Sequence, residues 1–275
     1  MTITFKRKGA DTSYDRPTGA DYARAGYTAV MRYITDPGPG NKGITIAEIH
    51  DLTAHKIAYG LVWELGSEAV LSGHAQGVAD AENAQANLNA LAVQTGGPSN
   101  KRPIYFAIDF DITPSQIGAA EAYFRGAASV IGANRVGVYG SGYAVDYLFE
   151  RKLAAFGWWV KAASAWGGGH VPDMAHVHIQ QTQNAVVCGS GTIDRDLMRT
   201  TGNWGQSGVL TLKPAPKPIP AAPKPDPELF YTVKAGDTLT TVAGKYKTTL
   251  HALDVLNPTI KDLDQIYPGE RVRVK

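Results

Sequence analysis

The sequence predicts an α/β fold: a (β/α)8 TIM-type barrel over residues 1–206, then a small α+β unit of order strand, helix, helix, strand over 230–275. Three observations carry this. Eight strand-like runs alternate with helical stretches in roughly 200 residues, the pattern of a parallel barrel. A proline-rich segment at 207–229 separates the two parts. The tail then places turn pairs and helix caps at regular offsets. A length of 275 residues accommodates one large domain and one small one. No glycine-rich phosphate loop follows the first strand, which favours a barrel over a doubly wound open sheet.

The strand candidates are Gly9–Thr12, Ala29–Ile34, Ala58–Leu65, Pro103–Asp109, Val136–Tyr139, Gly157–Ala162, His176–Gln181 and Thr192–Asp196. Between them, Ile44–Lys56 and the Ala- and Asn-rich Gly73–Gln94 carry helical spacing, and Thr113-Pro114 opens a helix that runs through Ala128. Prolines 214, 216, 218, 220, 223, 225 and 227 fix φ and remove donors. Such a linker favours extended polyproline II and spans roughly 40 Å at ~3.1 Å per residue. In the tail, Tyr231 and Val233 alternate as a short strand. Gly236-Asp237 is a turn pair, and Thr238 sits where a helix N-cap belongs. Leu239, Val242, Ala243 and Tyr246 recur at helical spacing. Thr249 opens a second helix with Leu250, Leu253 and Leu256 on its buried side. Asn257-Pro258 ends it, and Pro268-Gly269 turns the chain into a last strand, Arg271–Val274.

Composition excludes several classes. The 27 basic and 25 acidic residues argue against a nucleic-acid binder. From Ser207 onward there are ten basic and seven acidic residues, a mildly basic tail. A single cysteine, Cys188, allows no intrachain disulfide, and no pair is at hand to activate it. The N-terminus lacks the apolar core of a signal peptide, and no run is long enough to span a bilayer. His176-x-His178 offers two ligands from one strand without a third, so no metal and no cofactor are expected. Ser141 in Gly140-Ser141-Gly142 lacks the full nucleophile-elbow pattern.

The chemistry gathers at strand ends. In Pro103–Asp111, Ile104, Phe106, Ile108 and Phe110 share one face, and Tyr105, Ala107, Asp109 and Asp111 share the other. Two carboxylates on the inner face at the C-terminal end of a central strand occupy the catalytic position of a barrel enzyme. Asp11 ends the first strand, Glu64 the third, and Asp194 and Asp196 sit two apart in the last. In a closed barrel Asp11 and Asp194 become neighbours. Arg32 can neutralise part of this ring or bind substrate, and Trp63, Tyr105, Tyr139 and Trp166 are candidate sugar-stacking aromatics. Core packing is the competing role for each.

Two resemblances follow from these residues. Tyr231–Val274 resembles a LysM module, which implies binding of N-acetylglucosamine-containing glycan through Gly236, Asp237, Thr238, Asn257, Pro258 and Ile266. The set Asp11, Asp109-Phe-Asp111 and Asp194 is similar to glycoside hydrolase family 25 lysozymes. Arg32-Tyr33, Leu61-Val-Trp63-Glu64, Pro103–Asp111, Gly137-Val-Tyr139-Gly and the Gln180 strand resemble more closely the actinobacterial glycoside-hydrolase-like barrel family. Asp111 stands where the lysozymes have a Glu, one methylene longer. Together the resemblances imply cleavage of the β-1,4 glycan of peptidoglycan. Glu64 or Asp111 is then the general acid, Asp109 stays ionised, and Asp11 and Asp194 position sugar. A wall-directed protein without an export signal fits a phage endolysin, a monomer made in the host cytoplasm and acting on the wall after release. A degenerate barrel that only binds wall glycan is the alternative.

Overall fold

The alternating runs close into a barrel of eight strands. In the computed structural model, residues 3–35, 42–95, 101–205, 229–248, 252–253, 256–257, 260 and 266–274 are described. The strands are β1 (Phe5–Asp11), β2 (Ala29–Tyr33), β3 (Ala58–Trp63), β4 (Ile104–Ala107), β5 (Val136–Gly140), β6 (Phe156–Val160), β7 (Val177–Cys188) and β8 (Gly191–Arg199). They bond in sequence order, with β8 closing on β1. Each of the first five is followed by a helix: α1 (Gly19–Arg24), α2 (Ile46–Ala54), α3 (His74–Thr95), α4 (Ile117–Ile131) and α5 (Gly142–Glu150). Thr113-Pro114 does not open α4. Instead the Thr113 N–H donates to Gln116 Oε1 at 3.0 Å in a turn that precedes it.

The expected all-parallel (β/α)8 order fails at the end of the barrel. Strands β1 to β7 are parallel to their neighbours, but β8 runs antiparallel to both β7 and β1. Only Gly189 and Ser190 separate β7 from β8. A parallel crossover needs about a dozen residues, so a hairpin is the only connection available. After β6, two 3₁₀ turns (Lys161–Ala163 and Trp166–Gly169) take the place of a helix. The fold is therefore a mixed α/β closed barrel in which the last strand descends from the mouth.

Period-two alternation sorts side chains into two layers. Outward residues such as Val30, Leu61, Trp63, Ile104, Phe106 and Val138 pack under the helices. Inward residues Met31, Val62, Tyr105, Trp158, Ile179 and Met198 fill the barrel, joined by Trp204. The Tyr105 hydroxyl donates to the Trp204 carbonyl at 2.8 Å, tying the segment after β8 to the floor. Helices α3 and α4 touch backbone to backbone. A Cβ at Gly77 would lie 1.9 Å from the Tyr123 carbonyl oxygen, and one at Gly126 would lie 2.2 Å from that of His74.

The chain divides into two compact units, Met1–Lys213 and Pro214–Lys275. The expected proline linker lies outside the described residues. In the second unit β9 (Phe230–Thr232) pairs antiparallel with β10 (Arg271–Arg273). Helix α6 (Leu239–Lys245) starts at Thr238, whose side chain and that of Thr241 form a reciprocal capping box. Tyr231, Val233, Leu239, Val242, Leu253 and Val272 make its core. Thr249, Leu250 and Pro258 lie outside the described residues.

Candidate active site

The C-terminal ends of the parallel strands open onto a cavity of about 590 Å³. Because side chains alternate, each strand contributes its inward residues nearest the mouth. These are Asp11 from β1, Tyr33 from β2, Val62 and then Glu64 from β3, Ala107 and then Asp109 from β4, Tyr139 from β5, Trp158 and Val160 from β6, Gln181 from β7 and Asp194 from β8. Tyr14 and Trp166 reach in from the loops after β1 and β6. Cross-strand pairing sets Asp11 opposite Asp194.

A hydrogen-bonded chain crosses the floor of this cavity. The Tyr139 hydroxyl lies 2.9 Å from Gln181 Oε1 and 3.3 Å from Asp109 Oδ1. It has one proton, which lies nearer Gln181 and is shared with Asp109. Gln181 Nε2 donates to Asp194 Oδ2 at 2.7 Å and to Asp11 Oδ2 at 3.3 Å. Asp194 Oδ1 accepts the Ala185 N–H at 2.9 Å, where the backbone takes a φ of 58°. Both Asp194 oxygens are thus committed to holding the β7–β8 hairpin.

Asp109 and Glu64 face different surroundings. Burial first, then the charge of Glu64, push the Asp109 carboxyl above the ordinary carboxylate range, partly countered by Tyr139 and Lys42. Glu64 is paired instead with a cation: Lys42 Nζ lies 3.1 Å from Glu64 Oε2 and 4.7 Å from the Tyr33 ring centre. One carboxyl is therefore biased towards keeping its proton and its neighbour is held beside a positive charge.

Six expected site residues do not line the cavity. Asp111 is exposed, and its Oδ1 accepts the Gly167 N–H at 2.7 Å, because β4 stops at Ala107 and the chain turns aside. Arg32 is fully buried on the outer face of β2. It bonds Glu48 Oε1 at 2.6 Å and the carbonyls of Thr12, Ser13 and Lys42, so it fixes the mouth loops from behind. Trp63 packs under the helices, since its neighbour Glu64 takes the inward side. Tyr105 faces inward but sits on the floor. Gln180 is on the opposite face of β7 from Gln181. Asp196 lies below the mouth at 0 % exposure, because β8 runs downward and carries it one pair deeper than Asp194. Sequence reasoning missed Tyr14, Tyr33, Trp158 and Gln181. Pairing across the sheet, which carries the inward parity of Asp11 and Glu64 to the neighbouring strands, is the signal that finds the last three.

Asp196 has a chemistry of its own. Trp158 Nε1 donates to its Oδ1 at 3.1 Å, while no donor reaches Oδ2 among the described residues. Asp11 is a neighbouring carboxyl, and burial pushes both groups well above the ordinary range, with the Asp194 and Asp109 charges adding at Asp11 and the Asp11 charge adding at Asp196. Two acceptor-only groups bond only when one is protonated, so a proton shared between Asp196 and Asp11 is the expected state of the pair. A raised carboxyl contributes stability that is full below the unfolded pKa of about 4 and is lost as pH rises through the folded value. Asp196→Asn keeps the Trp158 bond and supplies an N–H to Asp11. It is expected to raise stability at pH 7 by about 1–3 kcal/mol and to flatten the decline from pH 4 to 7. Melting temperatures across that range check it. A variant less stable at pH 7 with an unchanged slope contradicts the shared proton.

Away from the mouth, burial pushes the Cys188 thiol up, as suits an inert thiol. His178 is driven down to about 4, mainly by burial, with its Nδ1 accepting the Gly157 N–H at 3.2 Å. No cluster of metal-ligating side chains occurs among the described residues, and no helix is long and apolar enough to cross a membrane among them. In the small unit, several expected sugar-binding side chains serve the fold. Asp237 Oδ2 accepts the Tyr231 hydroxyl at 2.6 Å and the Lys234 N–H at 2.8 Å. Thr238 is used in its capping box. Asn257 is buried and bridges Leu253 to both polar groups of the Arg273 backbone. Gly236 keeps a φ of 88° in the turn, and Ile266 packs on the small core, beside the exposed ring of Tyr267.

Comparison with known proteins places both units. Residues 20–198 match the family model "Rv2525c-like, glycoside hydrolase-like domain", and residues 231–275 match the LysM domain. The chain is 29% identical over 192 residues to "Putative peptidoglycan hydrolase Rv2525c" of Mycobacterium tuberculosis, covering 66% of this chain and 76% of that protein. A crystal structure of that Tat-secreted protein with HEPES superposes with a TM-score of 0.61 at 25% identity, over 73% of this chain and 98% of the other. The tail alone is 49% identical over 47 residues to an endolysin of Bacillus phage B103, or 17% of this chain and 18% of that one. It is also 44% identical over 46 residues to a chlorophenol reductase of Desulfitobacterium hafniense, covering 17% and 14%. Similar tails thus accompany unrelated activities, and the family assignment rests on the barrel. The chain belongs to the Rv2525c-like, glycoside hydrolase-like family and carries a C-terminal LysM domain.

Proposed function

We propose that this protein is a peptidoglycan hydrolase that cleaves β-1,4 glycosidic bonds of wall glycan at the acidic mouth of its barrel. The observation that carries the reading is the contrast between Asp109, biased towards its protonated form, and Glu64, held beside Lys42 in the same cavity. Glycoside cleavage requires such a pair. Asp109 gives its proton to the leaving oxygen as the C1–O bond breaks. The Glu64 carboxylate stabilises the positive charge at C1 until water adds there and gives its proton back to the Asp109 carboxylate. These roles reverse the assignment from sequence, which kept Asp109 ionised and gave the proton to Glu64 or Asp111. Asp11 and Asp194 set the field, while Tyr14, Tyr139 and Trp166 offer faces and a hydroxyl to sugar. The name of the M. tuberculosis relative supports the substrate class.

In this reading residues 1–206 are the catalytic barrel, 207–229 a tether, and 230–275 a LysM domain that binds N-acetylglucosamine-containing glycan. Tethering raises the effective glycan concentration at the mouth. A role in host lysis, with synthesis in the host cytoplasm and action on the wall, is part of this proposal and rests on the wall-directed chemistry of the barrel rather than on the tail, whose likeness extends to an endolysin and a reductase alike. The displaced Asp111 favours the second reading, a barrel that binds wall glycan without cutting it. Digestion of purified peptidoglycan decides between them. New reducing ends, identified by mass spectrometry as N-acetylated sugars, are expected. Intact glycan after prolonged incubation at saturating binding, or release of peptides alone, rejects glycoside hydrolysis.

A further inference from the structure

Asp111 is outside the cavity, yet its carboxylate is engaged. Its Oδ1 accepts the Gly167 N–H at 2.7 Å, a charge-assisted bond from the loop after β4 to the loop after β6. The residue before Gly167 is Trp166, which lines the cavity. The loop here is unusual: Gly167, Gly168 and Gly169 have φ of 65°, 66° and 76°, a run that other residues rarely adopt. It is also pressed against the start of α5, where a Cβ at Gly167 would lie 2.7 Å from Tyr143 Cβ and 2.9 Å from Ser141 Oγ. The far end is pinned separately, with His170 Nε2 2.7 Å from Asp146 Oδ2 and the Asp173 N–H donating to the same carboxylate at 3.1 Å. Two backbone bonds brace the turn itself, Gly169 N–H to the Ala165 carbonyl at 3.1 Å and His170 N–H to the Gly167 carbonyl at 3.3 Å, and the Asp111 bond ties that braced turn to the loop after β4.

We infer that Asp111 is a positioning residue for a sugar subsite: a latch from the loop after β4 to the Gly167 amide that sets the Trp166 ring at the cavity wall as a stacking surface for a glycan sugar ring. The inference rests on the glycoside reading above and assigns to Asp111 a role other than proton donation. An indole at the wall of an acidic cavity suits the apolar face of a pyranose. The latch acts on substrate binding and leaves the Asp109–Glu64 pair untouched.

Two variants of the full chain test it. Asp111→Asn keeps an acceptor oxygen at the same reach, while Asp111→Ala removes it. On soluble glycan fragments, Asn is expected to hold KM and kcat near the wild-type values. Ala is expected to raise KM roughly fivefold to tenfold with kcat little changed. Trp166→Ala should raise KM similarly, and adding Asp111→Ala to it should cost nothing more, because both remove one interaction. A collapse of kcat in Asp111→Asn, or an unchanged KM in Asp111→Ala, overturns the latch. Exchange of the Gly167 amide, followed by NMR, reads the latch without catalysis: protected in the wild type and Asn, fast in Ala. Failure of the wild type to release reducing ends would reject the functional reading alone. Equal exchange in all three proteins would reject the latch alone.

Discussion

Asp109→Asn is expected to reduce reducing-end release by about 10³-fold, within the usual contribution of a general acid, while leaving binding to cell walls intact. Asn matches the shape of Asp and still meets the Tyr139 hydroxyl, so the barrel has no reason to unfold. It has no proton to give. In the wild type the same logic fixes the direction of pH dependence. Burial and the Glu64 charge raise the Asp109 carboxyl, so activity persists above the ordinary carboxylate range and falls as pH rises through the raised value. Folding verified by circular dichroism, with activity assayed on purified walls, checks the prediction. Undiminished release in the variant removes Asp109 from the chemistry.

Gln181→Leu is expected to have the next largest effect, because Gln181 is where the floor network meets. Its amide donates to Asp194 and Asp11, and its carbonyl accepts from the Tyr139 hydroxyl. Leucine removes all three contacts at nearly constant volume. Asp11 and Asp194 then face each other without a shared donor, at a stability cost of about 2 kcal/mol at neutral pH. The Tyr139 proton, no longer shared with Gln181, turns wholly to Asp109, and the strengthened bond lowers the Asp109 carboxyl further. The alkaline limb of the activity profile therefore moves to lower pH, and the rate along that limb falls. A pH–rate profile beside a melting curve reads both effects. An alkaline limb that stays in place contradicts the network.

Much of the architecture was legible in the sequence because period-two runs, helical spacing and turn residues agree with one another. The direction of β8 was legible too, had the connection been measured. Too few residues join Gln181 to Thr192 for a helical crossover, and Gly189-Ser190-Gly191 marks a hairpin. That one misreading put Asp196 at the mouth instead of beneath it. Parity explains other errors. Trp63 and Glu64 are adjacent in β3 and its extension, so both cannot face inward, and an inward Glu64 places Val62 in the cavity and Trp63 under the helices. Gln180 and Gln181 pose the same choice, which only pairing across the sheet resolves. Tyr105 has the correct parity but sits four residues below Asp109, roughly 13 Å along a strand. The fate of Asp111 was not legible. It depends on where β4 stops and on a distant glycine amide.

The small C-terminal unit shows a different limit. Its capping threonine, turn glycine and apolar spacing predicted the strand and helix that form. Motif matching did not separate side chains that hold the turn from those left to meet sugar. Asp237 and Asn257 have hydrogen-bond partners within the fold. If this unit binds glycan through the same loops, backbone groups around Gly236 and apolar side chains such as Ile266 are better placed than those two.

Burial and the neighbouring Glu64 charge set the Asp109 carboxyl above its ordinary range. Carboxyl-carbon NMR of the protein labelled at aspartate measures it directly, with Asp109 assigned by its loss in Asp109→Asn. The account predicts that Asp109 titrates above the ordinary aspartate value of about 3.9 and that Glu64→Gln moves the midpoint down. An Asp109 midpoint at or below that value, unmoved by Glu64→Gln, would contradict the account.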